Sequence, residues 1–284
     1  MFGKTRQAWY VRHWYEQEDL LRDAIIIKMV KEIRSEMPRV GTRKLHHMLS
    51  ESLQEHNISI GRDGLFNLLA DYGLLVRRRK RKRVSTTDSN HPFRKYPNLI
   101  KELQVLRPNQ LWVSDITYIS LLNGFCYLSL ITDAYSRKIV GHCLYPSLKK
   151  EGTLEALKAA LGGLPDKLEG KLMHHSDRGL QYCCKDYITL LENNRISISM
   201  TEKGDPYENA IAERVNGILK GEFVLDKGFN NFEQAKSKVK EAINTYNRVR
   251  PHASCNYLTP EMAHLLKGEL ASKWRSKKEV VNTM

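Results

Sequence analysis

Three strand-like runs follow one another with almost no chain between them: QLWVSDITYIS (110–120), GFCYLSLITDAYS (124–136) and RKIVGHCLYPS (137–147). Their connectors, LLNG and YSRK, are hairpin-sized, so the three runs form an antiparallel meander. KKEGTLEALKAALGGLP then reads as a helix ended by glycines, and KLMHHSD as a short fourth strand. A helix over about 180–193, a fifth strand ISISM (196–200) and helices over about 207–225 and 231–248 complete the series. A meander followed by alternating helix and strand predicts an α/β fold with a mixed five-stranded sheet.

That order is the order of a ribonuclease H-like core, in which the first and fourth strands are neighbours. Asp115 lies inside the first, apolar strand, where an acid is costly unless paired or bound to a cation. Asp177 ends the fourth strand in MHHSDRGLQY, and sheets of this kind gather ligands at strand ends. Two converging carboxylates repel, and a divalent cation removes the conflict; an all-oxygen donor set suits Mg²⁺ or Mn²⁺. A third acid comes from GDPYENAIAERVNGILKGE (204–222). Asp205, Pro206 and Glu208 are explained as N-cap, N1 and capping-box partner, which leaves Glu213 in the helix body. Helical spacing sets Asn209, Glu213 and Lys220 on one stripe and Ile211, Val215 and Leu219 on another, core-facing one. Thirty-five residues separate Asp177 from Glu213, a weak signal alone, since 32 acids in 284 residues put an acid at a chosen offset about one time in nine.

The bland readings stand beside these. His174 and His175 are expected to pack or hydrogen-bond at the strand end rather than bind metal. Trp112 belongs to the core, and Cys183-Cys184 to buried helix packing. Arg178 meets phosphate or pairs with an acid, and Asn209 orients DNA or Glu213; the residues leave both pairs of readings open.

Upstream, residues 1–110 hold 22 Lys and Arg against 12 Asp and Glu, and the remaining residues 24 against 20, so the +14 net charge is mostly N-terminal. A basic half points to a polyanion partner, most simply nucleic acid. Helices are expected over 20–36, 40–56 and 58–75, the last stopped by Gly73. They fit an all-α helix-turn-helix domain with Arg62 near the start of the groove-reading helix, or a plain three-helix bundle. The run Arg77, Arg78, Arg79, Lys80, Arg81, Lys82, Arg83 is a solvated linker by itself and phosphate-binding if it lies along DNA. The domain boundaries expected are 1–83 for the helical region with its basic run, 84–106 for a linker, 107–266 for the catalytic core and 267–284 for a basic tail. Five cysteines without a C-x-x-C pair, and none in the first 125 residues, exclude a His/Cys zinc module there and suggest a reducing cytosol. No apolar run reaches the ~18 residues of a membrane span, and MFGKTRQAWY has no signal-peptide core.

Taken in order, W-x-x-D-I-T-Y (112–118), H-S-D-R-G-x-Q-Y (175–182), P-Y-E-N-A-x-x-E-R (206–214) with Lys220, Y-N-x-x-R-P-H (246–252) and L-T-P (258–260) resemble the DDE transposases of bacterial insertion sequences, whose core is similar to retroviral integrase. The match spans about residues 20–265. The resemblance implies Asp115, Asp177 and Glu213 as a catalytic, metal-binding triad with two Mg²⁺ or Mn²⁺ ions, and Lys220 as a DNA contact near it. One ion would activate water and later a DNA 3′-hydroxyl, and the other would stabilise the departing 3′-oxygen. Implied too are cleavage at an element's ends and joining of the 3′ end to another phosphodiester. The partners implied are double-stranded DNA (terminal inverted repeats and target), a homo-oligomer of at least two copies, and an upstream-frame DNA-binding protein if the opening residues trail a longer fusion. The place implied is the bacterial cytoplasm, near the nucleoid, with no membrane. Gly217 stands where retroviral relatives carry a second lysine, which puts a base contact from that position in doubt. Two rival readings remain: a DNA-end-binding regulator with an inactive core, and a structure-selective nuclease of the same fold.

Overall fold

The computed structural model describes residues 6–76, 91–202 and 209–270. The chain divides into two compact units, Met1–Lys80 and Arg81–Met284. The basic run 77–83, Asp205, Pro206, Glu208 and the tail from 271 lie outside the described residues.

The first unit is all helix: α1 (Arg6–Glu36), α2 (Thr42–Met48), α3 (Ser50–Glu55) and α4 (Arg62–Asp71). Ile26, Ile27, Val30, Leu45, Leu53, Leu65 and Leu69 form its core. Helix α1 starts earlier than its periodicity predicted. Tyr10, Trp14, Leu20 and Leu21 along its first half are exposed. The expected helix over 40–56 is two short helices meeting at Leu49, where the Ser50 hydroxyl bonds the His47 carbonyl and competes with the backbone ladder. Gly73 does end the last helix: its φ is +66° and its N–H reaches the Ala70 carbonyl.

The second unit is built on β1 (Leu111–Leu121), β2 (Gly124–Asp133), β3 (Ile139–Tyr145), β4 (Met173–Ser176) and β5 (Ser197–Met200), in the sheet order β3-β2-β1-β4-β5. The first three strands are antiparallel neighbours, and β4 and β5 run parallel to β1. This is the ribonuclease H-like arrangement the element order implied. Helices α5 (Lys150–Gly162), α6 (Leu180–Cys183) and α7 (Lys185–Asn193) follow the strands, then α8 (Ala210–Glu222), α9 (Phe232–Arg248) and α10 (Pro260–Ala263). The single helix expected over 180–193 is broken at Cys184, whose backbone is extended and caps α7.

Alternation along β1 sorts the core into two layers. Trp112 and Ile116 pack with α5 and α7 residues such as Leu157, Tyr187 and Leu191. Leu111 and Val113 face Ala212 and Ile211 of α8. On the first side α5 lies so close to β3 that a Cβ on Gly141 would come within 2.3 Å of the Ala156 carbonyl oxygen. From residue 91 onward, the segment expected as linker is part of this unit. Leu99 N–H bonds Ser199 Oγ, Met200 N–H bonds the Pro97 carbonyl, and Tyr96, Ile100, Leu103 and Val105 pack on the two cores. Its apolar residues are too widely spaced to read as an element, yet these four find places against the sheet.

Candidate active site

Asp115 takes the next place after Leu111 and Val113 in the row of β1 that faces α8. The parallel register pairs Trp112 with His174 and Val113 with His175, and carried forward two residues it sets Asp177 beside Asp115. Asp177 follows the last residue of β4, and its Oδ1 accepts the Gly179 N–H at 3.0 Å as the chain turns into α6.

Helix α8 lies along β1 in step with it. Asn209, its N-cap, donates through Nδ2 to the Ser114 carbonyl at 3.0 Å. Two turns on, Asn216 donates through Nδ2 to Asp115 Oδ2 at 2.7 Å. A turn further, Lys220 Nζ sits 3.8 Å from the centre of the Tyr118 ring. Glu213, between the two asparagines, is exposed. The stripe expected to hold Asn209, Glu213 and Lys220 therefore splits. Asn209 and Asn216 are buried at 8 % and 6 % exposure and hold the helix to β1, while Glu213 stands at the edge of that contact. One Asn209 amide N–H is thus spent on β1, tying the start of α8 to the strand.

The electrostatics mark the spot. Although some of its surface reaches solvent, burial pushes the Asp115 carboxyl up to about 7, and the neighbouring Asp177 and then Glu213 push it the same way. The hydrogen bonds from Asn216 and from the Ile116 N–H pull it down, without cancelling the rise. Tyr182, buried behind the two aspartates, has its hydroxyl held well above the usual range by burial first and by Tyr187, Asp177 and Asp115 after it. Among the described residues no three His, Cys, Asp or Glu side chains already stand close enough together to hold an ion.

The other residues singled out sort cleanly. His174 is fully buried, its ring nitrogen Nε2 within hydrogen-bond distance of both Ser114 Oγ (2.6 Å) and Tyr187 OH (2.9 Å); burial lowers its pKa to about 3, so it is neutral. His175 meets Ser199 Oγ through Nδ1 at 2.9 Å. Both are occupied within the fold. Trp112 is wholly buried and Cys183 and Cys184 are packed. Arg178 donates to the Glu202 carbonyl, and its own carbonyl meets His91. In the first unit, Arg62 opens α4 on the surface and forks onto Asp63 at 2.8 and 3.1 Å.

The sequence passed over three features. Asn216 is one: its place three residues after Glu213, on an adjacent helical face, is a signal that was there to find. Asp133, fully buried at the end of β2, is another. It accepts the Asn109 N–H, the Ser136 N–H and the Ser136 hydroxyl at 2.7–2.8 Å, with His264 Nδ1 at 3.7 Å. The third is the fork of buried Arg250 onto Glu222, at 2.7 and 2.9 Å, which ties the C-terminal end of α8 to the chain after α9. With Tyr246 OH on the Arg137 carbonyl and the Asn247 amide bonding both backbone groups of Ile139, it gives Y-N-x-x-R-P-H a structural role.

A sheet of this order, with acids at the facing parts of β1 and β4 and a helix pinned alongside, defines an integrase-type core of the ribonuclease H-like class. Models described as "Integrase core domain" match residues 105–206 and 194–260. The chain is 35% identical over 264 residues to the "Insertion element IS600 uncharacterized 31 kDa protein" of Shigella sonnei, covering 92% of this chain and 94% of that one. It is 31% identical to the "Transposase for insertion sequence element IS629" of Shigella sonnei, over 81% of this chain and 75% of the other. The HTLV-2 integrase catalytic core superposes with a TM-score of 0.45 at 20% identity, over 57% of this chain and 99% of that one. The chain belongs to the family of insertion-sequence transposases with an integrase core. Among the described residues no helix is long and apolar enough to cross a membrane.

Proposed function

We propose that this chain is a polynucleotidyl transferase of the DDE type, which nicks the ends of an insertion sequence and joins the freed 3′ ends to another phosphodiester. The observation that carries this reading is the register that brings Asp177 beside Asp115, with the helix bearing Glu213 pinned to Asp115 Oδ2 through Asn216 at 2.7 Å; burial first, and then Asp177 and Glu213, push the Asp115 carboxyl up to about 7. Such a cluster is costly to the fold and useful to an enzyme. Its donors are all oxygen, with both neighbouring histidines engaged elsewhere, so the residues suit Mg²⁺ or Mn²⁺. Asp115, Asp177 and Glu213 would hold the ions. When bound, two divalent ions supply charge neutralisation to an in-line phosphoryl transfer. The protein's part is to aim. Asn216 keeps one Asp115 oxygen occupied and its carboxylate plane set, the Gly179 N–H does the same for Asp177, and Asn209 and Asn216 hold the turn of α8 that bears Glu213. No serine or tyrosine nucleophile is required.

Residues 1–83 would read the DNA ends through the helical unit, with Arg62 and the basic run 77–83 on phosphates, and Arg178 and Lys220 would meet DNA beside the acids. Pairing two ends requires at least two copies. A gel assay with labelled end DNA, taken from imperfect inverted repeats flanking the reading frame, tests the reading. Strand joining supports it; binding without cleavage indicates an end-binding regulator, and hydrolysis without joining a nuclease.

A further inference from the structure

About 10 Å from the acids, at the tip of the β1–β2 hairpin, lies an aromatic group that the proposed chemistry does not yet use. From Asp115 to Tyr118 is three residues of strand, about 10 Å at ~3.3 Å each, so the two side chains leave opposite faces of β1 and it is Lys220, reaching from α8, that links them. From Glu213 to Lys220 is seven residues of helix, also about 10 Å at ~1.5 Å each. The two paths end at the same place, since Lys220 Nζ lies 3.8 Å above the Tyr118 ring. Phe125, diagonally across on β2 where it pairs with Ser120, meets Tyr118 edge-on, with ring centroids 5.4 Å apart and planes at 87°. Phe125 is 54% exposed and Leu122, in the turn, 76%.

We infer that Phe125, braced by Tyr118 and flanked by Lys220, is a stacking platform for an unpaired nucleobase of the DNA end held at the acids. The inference rests on the transposase reading and adds the nucleotide it must hold next to the reacting phosphate. A solitary exposed aromatic needs no explanation. This one is fixed at a defined angle, carries a cation at its side and stands within one or two nucleotides of the acids. Base–aromatic stacking needs an open π-face, which a paired base inside a duplex does not offer, so the ligand is a frayed or flipped base. Lys220 complements the phosphate attached to it, and that charge argues for nucleic acid over a second protein copy, which the apolar Leu122 and Phe125 alone would suit.

The experiment compares end duplexes that carry 2-aminopurine at unpaired terminal positions with fully paired ones, without divalent ion so that the DNA stays uncut. Wild-type protein and Phe125→Trp should quench the probe severalfold, and Phe125→Ala should not. Phe125→Ala should also lose about tenfold in affinity for frayed ends and stay within about twofold on paired ones. Because Phe125 is exposed, the variant is expected to fold, and Tyr118→Phe keeps the brace while removing its hydroxyl. Equal quenching by Phe125→Ala, in a protein that still binds and joins ends once Mg²⁺ is added, overturns the platform and leaves the transposase reading intact. Equal quenching together with a fall in sedimenting mass overturns it too, and assigns the patch to a second copy. Wild-type protein that neither nicks nor joins ends overturns the underlying reading, and the platform with it.

Discussion

Two groups of buried charge sit in the second unit, and they are finished to different degrees. At one, Asp133 accepts three hydrogen bonds from the β2–β3 turn and the segment before β1, and Arg250 forks onto Glu222 with both carboxylate oxygens engaged. At the other, Asp115 has one donor on each oxygen, yet burial first, and then the like charge of Asp177 and Glu213, raise its carboxyl to about 7. Burial is the first cause of that rise, and what it adds to at Asp115 is the like charge of Asp177 and Glu213. The first group holds the scaffold, and in the proposed chemistry the second would take up the cations.

The sharpest way to break that comparison is Asp177→Asn. It should reduce cleavage and joining by on the order of 10³-fold while end-DNA affinity changes less than about threefold, measured side by side in the labelled-end assay. Joining at the wild-type rate would remove Asp177 from the site. Arg250→Ala should act on the other group, costing about 3–5 kcal/mol in chemical unfolding because the buried Arg250 side chain and its fork onto the part-buried Glu222 are both lost. Under conditions where the variant is folded, each molecule should still bind divalent ions; loss of ion binding in a folded variant would erase the distinction between scaffold and site.

Asp115→Asn should do the reverse of a damaging mutation to stability. The native carboxyl titrates above its unfolded value, so between about pH 4 and 7 the unfolded chain binds fewer protons and stability falls as pH rises. Removing the charge should raise stability of the metal-free protein at pH 8 by ~2–3 kcal/mol, with no gain at pH 4, while abolishing activity. An equal gain at both pH values would mean that the carboxylate is not strained. The smallest effect expected is that of Asn216→Ala: the divalent-ion concentration for half-maximal binding, followed by Mn²⁺ paramagnetic resonance, should rise about tenfold. A change in DNA affinity alone, with ion binding untouched, would return Asn216 to plain packing.

Much of this was legible in the chain. The strand runs, the glycine stop at 73, the acids at 115 and 177 and the family resemblance rest on local pattern: alternation, turn chemistry and the oddness of an acid in an apolar strand. Less legible were features whose meaning depends on a distant partner. Asn209 carries the same amide whether it faces DNA or the Ser114 carbonyl, 95 residues away. The segment after residue 91 has no period of its own, yet it is ordered by the sheet it touches. Asp133 looks no different from Asp115 in one dimension, since both sit in strand-like runs.

The amino-acid order alone determined the strands and helices, their succession and the presence of one carboxylate inside the first strand and another just after the fourth. Periodicity and cost of burial are properties of short segments and survive without a fold. Tertiary structure decided which acids are neutralised by neighbours and which are not, which asparagines brace α8, and why Arg250 follows the last long helix. Those outcomes depend on distances between groups far apart in the chain, and electrostatic demand is set by what surrounds a charge in space, not by what precedes it in sequence.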